Sequence, residues 1–177
     1  MTDRLTKSDW IRHGLRTLAN DGPNALKVGS MAEGLKVSRG SFYWHFRDVD
    51  DFRLQILRSW REHTTEQVIQ ETAKEAEPDR LSHLLRRAFV GRSSLERAVR
   101  SWAAEDEVVA TTVASVDASR VTYITKVLVG GGVDSEKAGH RAAFMYWAYI
   151  GQMMVMDSGN SSISASAMDD ISDLFEK

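Results

Sequence analysis

The chain has 177 residues, a formal net charge of −2 and no cysteine, which excludes disulfides, iron–sulfur clusters, cysteine-ligated zinc and a cysteine nucleophile. No stretch approaches the roughly eighteen apolar residues of a membrane span. The first residues, 1–7, lack the apolar segment of a signal peptide. We therefore expect a cytoplasmic protein with no membrane partner.

Helical spacing of apolar residues dominates the chain, and strand-like alternation is rare. The pattern predicts an all-α fold. The first helix is predicted over Lys7–Asn20, with Ile11, Leu15 and Leu18 on one stripe. Gly14 lies in that stripe and would let another helix pack closely. The turn residues 21–24 end this helix.

Two short helices are predicted next, over Val28–Leu35 and from after Ser38 to near Phe46, joined by a tight turn at Lys36 and Val37. Their apolar positions can close on each other and on the first helix. Ser38 is predicted to cap the second of these helices through its hydroxyl. Two helices at this spacing predict a helix-turn-helix in a three-helix unit.

The other positions of the second short helix carry donors, aromatic rings and small residues, with no carboxylate before Asp48. Such a face favours binding to a polyanion groove. These positions are Arg39, Gly40, Ser41, Tyr43, Trp44, His45 and, just past the helix end, Arg47. The alternative is a turn between two core helices with a solvated face.

A fourth helix is predicted from Asp48, its N-cap, to about Ala76. At 1.5 Å per residue it would be about 40 Å long and would leave the three-helix unit. Residues 77–79, which contain a proline, are predicted to end it. Five further helices are predicted, over Arg80–Val90, Ser94–Ala104, Asp106–Val129, Ser135–Met156 and Ser162–Glu176.

Charge also divides the chain. Residues 1–63 carry eleven Lys and Arg against eight Asp and Glu, and residues 64–177 carry twelve against seventeen. We expect a helix-turn-helix domain over residues 1–47, extending through the start of the fourth helix to about residue 63. Residues 64–177 would form a second helical domain.

Large apolar side chains recur in the second domain and have two possible interpretations. Such a set usually forms core or dimer interface, but an apolar ligand pocket is the sharper hypothesis. The candidate pocket residues are Trp102, Arg120, Tyr123, Phe144 and Trp147. Arg120, like Arg141, could pair with a carboxylate such as Asp117 or bind an acidic ligand.

Small residues at roughly four-residue spacing mark the helix Ser135–Met156. Such residues allow close helix approach. We predict that this helix and the last one form a four-helix dimer interface. The alternative is a tightly packed pair within one chain.

Catalytic and metal motifs are lacking in the sequence. No two of the five histidines lie three or four residues apart, so no local metal motif exists. There is no Gly-x-Ser-x-Gly segment. The glycines 130–132 lack a following Lys-Ser/Thr and indicate a helix end rather than a phosphate loop. We expect neither enzyme activity nor a cofactor or metal.

The N-terminal sixty residues resemble the DNA-binding domain of the TetR family of bacterial transcriptional repressors. The most specific part is the run from Val37 to Phe46, followed by a long helix with an acidic start. The other matching positions are Ile11, Gly14, Leu18, Gly22, 26–28, Met31, Ala32 and Phe52. The resemblance implies a homodimer with two DNA-binding heads, and a helical C-terminal domain that holds the dimer and often a small-molecule site.

The resemblance also implies roles for single residues. Lys27, Tyr43 and His45 match positions that contact phosphates, and Arg47 follows at the helix end. Arg39, Gly40, Ser41 and Trp44 match positions where the recognition helix meets bases or nearby backbone. The chain departs from the family pattern at Lys36, where glycine is usual, at Val49, where lysine is frequent, and at Lys27, where a threonine cap is common.

These features predict a homodimeric repressor that binds a palindromic double-stranded operator and is released by an unknown small-molecule effector. Arg39 is the expected bidentate partner of a guanine. The alternative function is a helical protein-interaction module, in which the helix-turn-helix is only a scaffold.

Overall fold

The protein is described by a computed structural model over residues 5–90, 94–154, 163–164 and 166–176. Every regular element in those ranges is helical, which confirms the predicted all-α fold. The first five helices are α1 Lys7–Asp21, α2 Val28–Gly34, α3 Arg39–Tyr43, α4 Val49–Arg61 and α5 Gln67–Thr72. A 3₁₀ turn, Pro23–Ala25, precedes α2, and a π-helical segment, Glu62–Glu66, joins α4 to α5.

The later helices are α6 Glu77–Val90, α7 Ser94–Ala103, α8 Glu107–Gly130, α9 Ser135–Gln152 and α10 Ala167–Glu176. Their order confirms the prediction, with shifted ends. The proline of residues 77–79 is the second residue of α6, because the first turn of a helix tolerates proline. The predicted ends at Met156 and Ser162 lie outside the described residues.

The chain forms two compact units. The first contains residues 1–63 and 93–113, and the second contains residues 64–92 and 114–177. The predicted division after residue 63 follows chain order, so it leaves residues 93–113 out of the first unit, to which they belong. The assignment of DNA binding to residues 1–47, and of dimerisation and ligand binding to 64–177, stays a prediction.

In the first unit, α1 begins at a reciprocal cap. The Asp9 backbone N–H donates to the Thr6 hydroxyl at 3.3 Å, and the Thr6 backbone N–H donates to the Asp9 carboxylate at 2.9 Å. Gly14 then allows α4 to pack closely, because a methyl group there would lie 2.5 Å from Ile56 Cδ1. The close approach predicted at Gly14 is confirmed.

Helix α7 packs on α1 and completes the core of this unit. Its buried Glu96 accepts a hydrogen bond from Trp60 Nε1 at 3.2 Å and pairs with Arg100 Nη2 at 3.0 Å. Because the carboxylate has both a neutral donor and a cation, its burial is compensated. The C-terminal end of α4 is thereby tied to α7.

The second unit has its own apolar core. It is formed by α6, α8, α9 and α10, with Leu81, Leu85, Val127, Leu128, Val133, Ala138, Ala142, Met145 and Met168. Helix α8 ends as predicted in the glycine run. Gly132 has φ 96°, and the Val133 N–H bonds the Leu128 carbonyl at 3.0 Å, which caps the helix end.

The predicted fourth helix is interrupted. It was expected to run unbroken from Asp48 to about Ala76, but α4 ends at Arg61 and the chain passes through the π-helical segment before α5. Buried Trp60 and buried Thr65 lie five residues apart instead of the usual three or four. Thr65 lies within the π-helical segment and is buried.

Candidate nucleic-acid interface

The turn between α2 and α3 is closed by backbone hydrogen bonds. The Val37 N–H donates to the Ala32 carbonyl at 3.0 Å, and the Lys36 N–H donates to the Glu33 carbonyl at 2.9 Å. This pattern requires a left-handed residue, and Lys36 takes it with φ 56°. A lysine therefore occupies a backbone position that favours glycine, and both backbone hydrogen bonds of the turn are formed.

Ser38 is the N-cap residue of helix α3, but it does not make the predicted side-chain cap. The Ser38 hydroxyl makes no capping bond, and the Ser41 N–H donates to the Ser38 carbonyl at 3.0 Å instead. The prediction of a hydroxyl cap was wrong. In so short a helix the backbone carbonyl already satisfies this donor, and the exposed hydroxyl faces solvent.

Helix α3 is also shorter than predicted. It spans Arg39–Tyr43 and continues only as a turn, in which the His45 and Phe46 N–H groups both donate to the Phe42 carbonyl. Buried Phe42 and Phe46 anchor this segment, with ring centroids 5.0 Å apart. Trp10 and Phe52 hold Phe42 edge-on from α1 and α4, each at 5.4 Å.

The opposite side of α3 faces solvent. Tyr43 is 61% exposed and Trp44 is 76% exposed, large values for aromatic residues. Arg39, Ser38 and Gly40 are also exposed, whereas Ser41 and His45 are half-buried. The structure thus leaves five of the predicted residues exposed, and the rings of Tyr43 and Trp44 are not part of the core.

Lys27 and Arg47 flank this surface in the sequence and are both exposed. Lys27 precedes α2 and provides no side-chain cap, as expected for a residue without an acceptor oxygen. The Arg47 Nε donates to Asp48 at 3.0 Å, and the Arg47 backbone N–H donates to Asp51 at 3.1 Å. Asp48 caps α4, as predicted, by accepting from the Asp51 N–H at 2.8 Å.

These contacts set the charge beside the surface. The Asp51 backbone N–H is the main cause that lowers the pKa of Asp48, and the Arg47 side chain adds to it. The Arg47 N–H likewise lowers the pKa of Asp51. Both carboxylates are therefore ionised near neutral pH, and Arg47 is held at the start of α4.

One contact was not foreseen. The Arg39 guanidinium lies against Gly29, in the first turn of α2. The sequence shows that position 29 has no side chain, but no spacing rule predicts that Arg39 lies beside it.

The five candidate pocket residues divide between the two compact units. Buried Trp102 belongs to the first compact unit, and the other four belong to the second. Phe144 and Trp147 are 60% and 69% exposed on α9. The Tyr123 hydroxyl donates to the Ile69 carbonyl at 3.3 Å, and burial raises the pKa of this tyrosine.

Arg120 and Arg141, the two candidate arginines of the second unit, donate hydrogen bonds to uncharged oxygen atoms. Arg120 Nε donates to the Thr65 hydroxyl at 2.9 Å, and its Nη2 donates to the Thr64 hydroxyl at 3.0 Å. Arg141 Nη1 donates to the Phe175 carbonyl at 2.6 Å. Asp117 accepts a hydrogen bond from the Tyr146 hydroxyl at 2.6 Å. Arg120 thereby holds the π-helical segment against α8.

Helix α9 presents a second solvent-facing surface. Phe144, Trp147 and Gly151 on α9, and Met154 just past its end, recur every three to four residues and are all exposed. On α10, Leu174 is 72% exposed, and the ring of Phe175 lies 6.2 Å from that of Phe144. We name these six residues the α9–α10 apolar surface.

Within the described ranges, no group of three or more His, Asp or Glu side chains is arranged to hold a metal ion. The helices of those same ranges include none that is both long and apolar enough to cross a membrane.

Comparison with known proteins places the fold. No family model matches the sequence, and no curated protein matches it. Among solved structures, the chain is similar to one described as "putative TetR-family transcriptional regulator from Rhodococcus sp.", with a TM-score of 0.67. The chain has the fold of that protein. The two chains are 19% identical, and the match covers 100% of each.

Proposed function

We propose that this chain is a sequence-specific, double-stranded DNA-binding transcriptional regulator, which works as a homodimeric repressor. The observation that carries the proposal is the exposed face of α3, where Arg39, Tyr43 and Trp44 stand clear of the core. The sequence has no carboxylate between Glu33 and Asp48 to repel phosphates. A TetR-like fold agrees with this use.

In the proposed complex, α3 enters the major groove. Arg39 donates to the N7 and O6 atoms of a guanine, and Ser41 and Trp44 contact base edges or thymine methyl groups. Gly40 allows close backbone approach. Ser38, Lys27, Tyr43, His45 and Arg47 position the helix on phosphates. Arg47 would exchange its contact with Asp48 for a phosphate oxygen.

Homodimerisation follows from the length of α3. A five-residue helix reads only a few base pairs, so adequate specificity needs two copies. A two-fold dimer would place them about 34 Å apart on a palindromic operator. The α9–α10 apolar surface is the proposed contact between the two copies, because it includes large apolar side chains that a single copy leaves exposed.

Release by a small molecule is the last part of the proposal. An effector that binds one arrangement of the second unit better than another shifts the population toward it. Arg120 and Tyr123 are the effector contacts we retain, because both connect α8 to the segment that continues α4. Phe144 and Trp147, which face solvent, are assigned to the dimer contact.

The test is selection of duplexes from a random DNA pool by the full chain, followed by titration at different salt concentrations. We expect a palindromic sequence to emerge. If Lys27 and Arg47 of both copies contact phosphates, affinity falls about a hundredfold between about 50 and 200 mM salt. Failure to enrich any sequence, with binding independent of salt, would contradict the proposal and favour the interaction module.

Arg39→Ala tests the assignment of base readout. We expect it to relax the preference at one base pair of each half-site, at a cost of about 1–3 kcal/mol. Lys27→Ala is the matched variant, because loss of a phosphate contact weakens every sequence alike. An equal loss on all sequences for Arg39→Ala would make Arg39 a phosphate contact.

A further inference from the structure

The side chain of Arg39, the first residue of α3, extends to the first turn of α2. A methyl group on Gly29 would lie 3.2 Å from Arg39 Nη2, 3.5 Å from Nε and 3.6 Å from Cζ. The three atoms nearest to that position all belong to one guanidinium group. A side chain at position 29 would therefore lie in close contact with the end of Arg39.

This contact restricts a long side chain. Arginine has many rotamers in solvent, and ordering them on binding costs conformational entropy. Within the described residues, no carboxylate pairs with Arg39, so its N–H donors remain available to a ligand. The closeness of the guanidinium to Gly29 thus limits where it lies without using its donors.

We infer that Gly29 is a positioning residue for sequence readout, acting through Arg39. This inference rests on the proposed function and deepens it. A bidentate contact to a guanine requires two N–H groups in one plane at fixed distances. Gly29 allows the guanidinium to lie close to α2, which sets the direction in which these donors reach the base.

Substitution of Gly29 separates this role from folding. In Gly29→Ala the new methyl group meets the exposed, flexible end of Arg39 rather than backbone, so the arginine moves and the helix stays. Alanine also has a higher helix propensity than glycine. We expect the melting temperature of Gly29→Ala to be equal to or above that of the wild type.

The experiment compares four full-length chains: wild type, Gly29→Ala, Arg39→Ala and the double variant. Binding is measured on the selected duplex and on duplexes changed at the base pair that depends on Arg39. We expect Gly29→Ala to reduce discrimination at that base pair about three- to tenfold, less than the full loss of a bidentate contact. Discrimination at other positions should be unchanged.

Coupling between the residues is the decisive readout. Because Gly29 acts through Arg39, Gly29→Ala should add no further loss to Arg39→Ala. In the free protein, the NMR order parameter of the Arg39 Nε–H group should fall in Gly29→Ala. Ser30→Ala, an exposed change at the next residue of α2, is the control and should keep wild-type discrimination.

Two results overturn the inference but not the proposed function. One is that Gly29→Ala leaves discrimination at that base pair unchanged. The other is that Gly29→Ala reduces discrimination as much in the Arg39→Ala chain as in the wild type. A wild-type chain that enriches no duplex overturns the proposed function and this role with it. The two failures are distinguishable, because the first needs a wild-type chain that selects a sequence.

Discussion

Single residues decide how closely the helices of the first unit approach, and Gly14 is the tightest point. In Gly14→Ala the methyl group would meet Ile56 Cδ1 at 2.5 Å and Phe52 Cζ at 2.7 Å, and both side chains are buried. The strain should outweigh the gain in helix propensity and lower the free energy of unfolding by about 1–2 kcal/mol. Urea denaturation measures this change.

Gly139→Ala is the matched control for Gly14→Ala. Gly139 lies in α9 with no atom within 4 Å of the methyl position, so only the propensity term acts. We expect it to raise the free energy of unfolding by about 0.5–1 kcal/mol. Effects of the same sign for the two variants would show that the packing argument at Gly14 is wrong.

The Asp48 cap gives the start of α4 a pH dependence. The Asp51 N–H and the Arg47 side chain lower the pKa of Asp48 below its usual 3.8 in the folded chain. A carboxylate with a depressed pKa stabilises the fold above its unfolded value, and this stabilisation is lost as the pH falls through the folded value. Acid below about pH 4 should therefore loosen this helix start.

Asp48→Asn keeps an acceptor at the cap but removes the titrating group. We expect its melting temperature to be near that of the wild type at about pH 7 and to fall less steeply below about pH 4. Asp48→Ala should be less stable already at about pH 7. Asp50→Asn, at the exposed next-but-one residue, is the control. Parallel pH curves for wild type and Asp48→Asn would contradict the assignment.

Residue types with local rules were predictable from the sequence. The Asp48 cap follows from an acidic residue before a helix, and the exposure of Tyr43 and Trp44 follows from their spacing relative to Phe42 and Phe46. The Ser38 hydroxyl cap failed, because a backbone carbonyl competed for the same donor. The contact between Gly29 and Arg39 joins two helices, and no local rule predicts it.

At the scale of elements, the π-helical segment is the main departure from a regular pattern. Such segments interrupt helices rarely and often lie at functional sites. Here Arg120 donates to the hydroxyls of Thr64 and Thr65, so that three residues fix the extra turn. The sequence did not predict this segment, because its buried residue is the polar Thr65 and apolar periodicity registers only apolar residues.

Removal of the Arg120 donors should loosen this segment. Arg120→Met keeps a long apolar stem and removes the hydrogen bonds to Thr64 and Thr65. We expect amide hydrogen exchange over residues 64–72 to become about tenfold faster, corresponding to about 1.4 kcal/mol of local stability. Arg86→Met, which removes the contact with Asp169 on α10, is the control and should leave these amides unchanged. Unchanged amide hydrogen exchange over residues 64–72 in Arg120→Met would show that Arg120 does not stabilise this segment.

At the scale of the whole molecule, helix positions were predicted well and helix partners were not. Apolar periodicity located α6 to α10, because it depends on neighbours three and four residues apart. The return of residues 93–113 to the first unit brings Glu96 to Trp60, which lies 36 residues earlier in the chain. A single sequence carries no signal for such a pairing, so division by chain order leaves it out.

The proposed assembly makes the last prediction. Trp147 is 69% exposed on the α9–α10 apolar surface, and large aromatic residues dominate the energetics of protein interfaces. In Trp147→Glu a charge would be buried against the second copy without a partner. We expect a shift from dimer to monomer in sedimentation experiments, with the dissociation constant raised about a hundredfold or more.

DNA binding should weaken together with the dimer, because two recognition helices on one duplex act as a linked pair. Val108→Glu is the control, since Val108 is also exposed but belongs to the first compact unit and not to the α9–α10 apolar surface. It should leave both the dimer and DNA binding intact. A Trp147→Glu chain that sediments as a dimer and binds the operator like the wild type would place the contact between copies elsewhere. A monomer that still selects the full palindrome would remove the argument that specificity needs two copies.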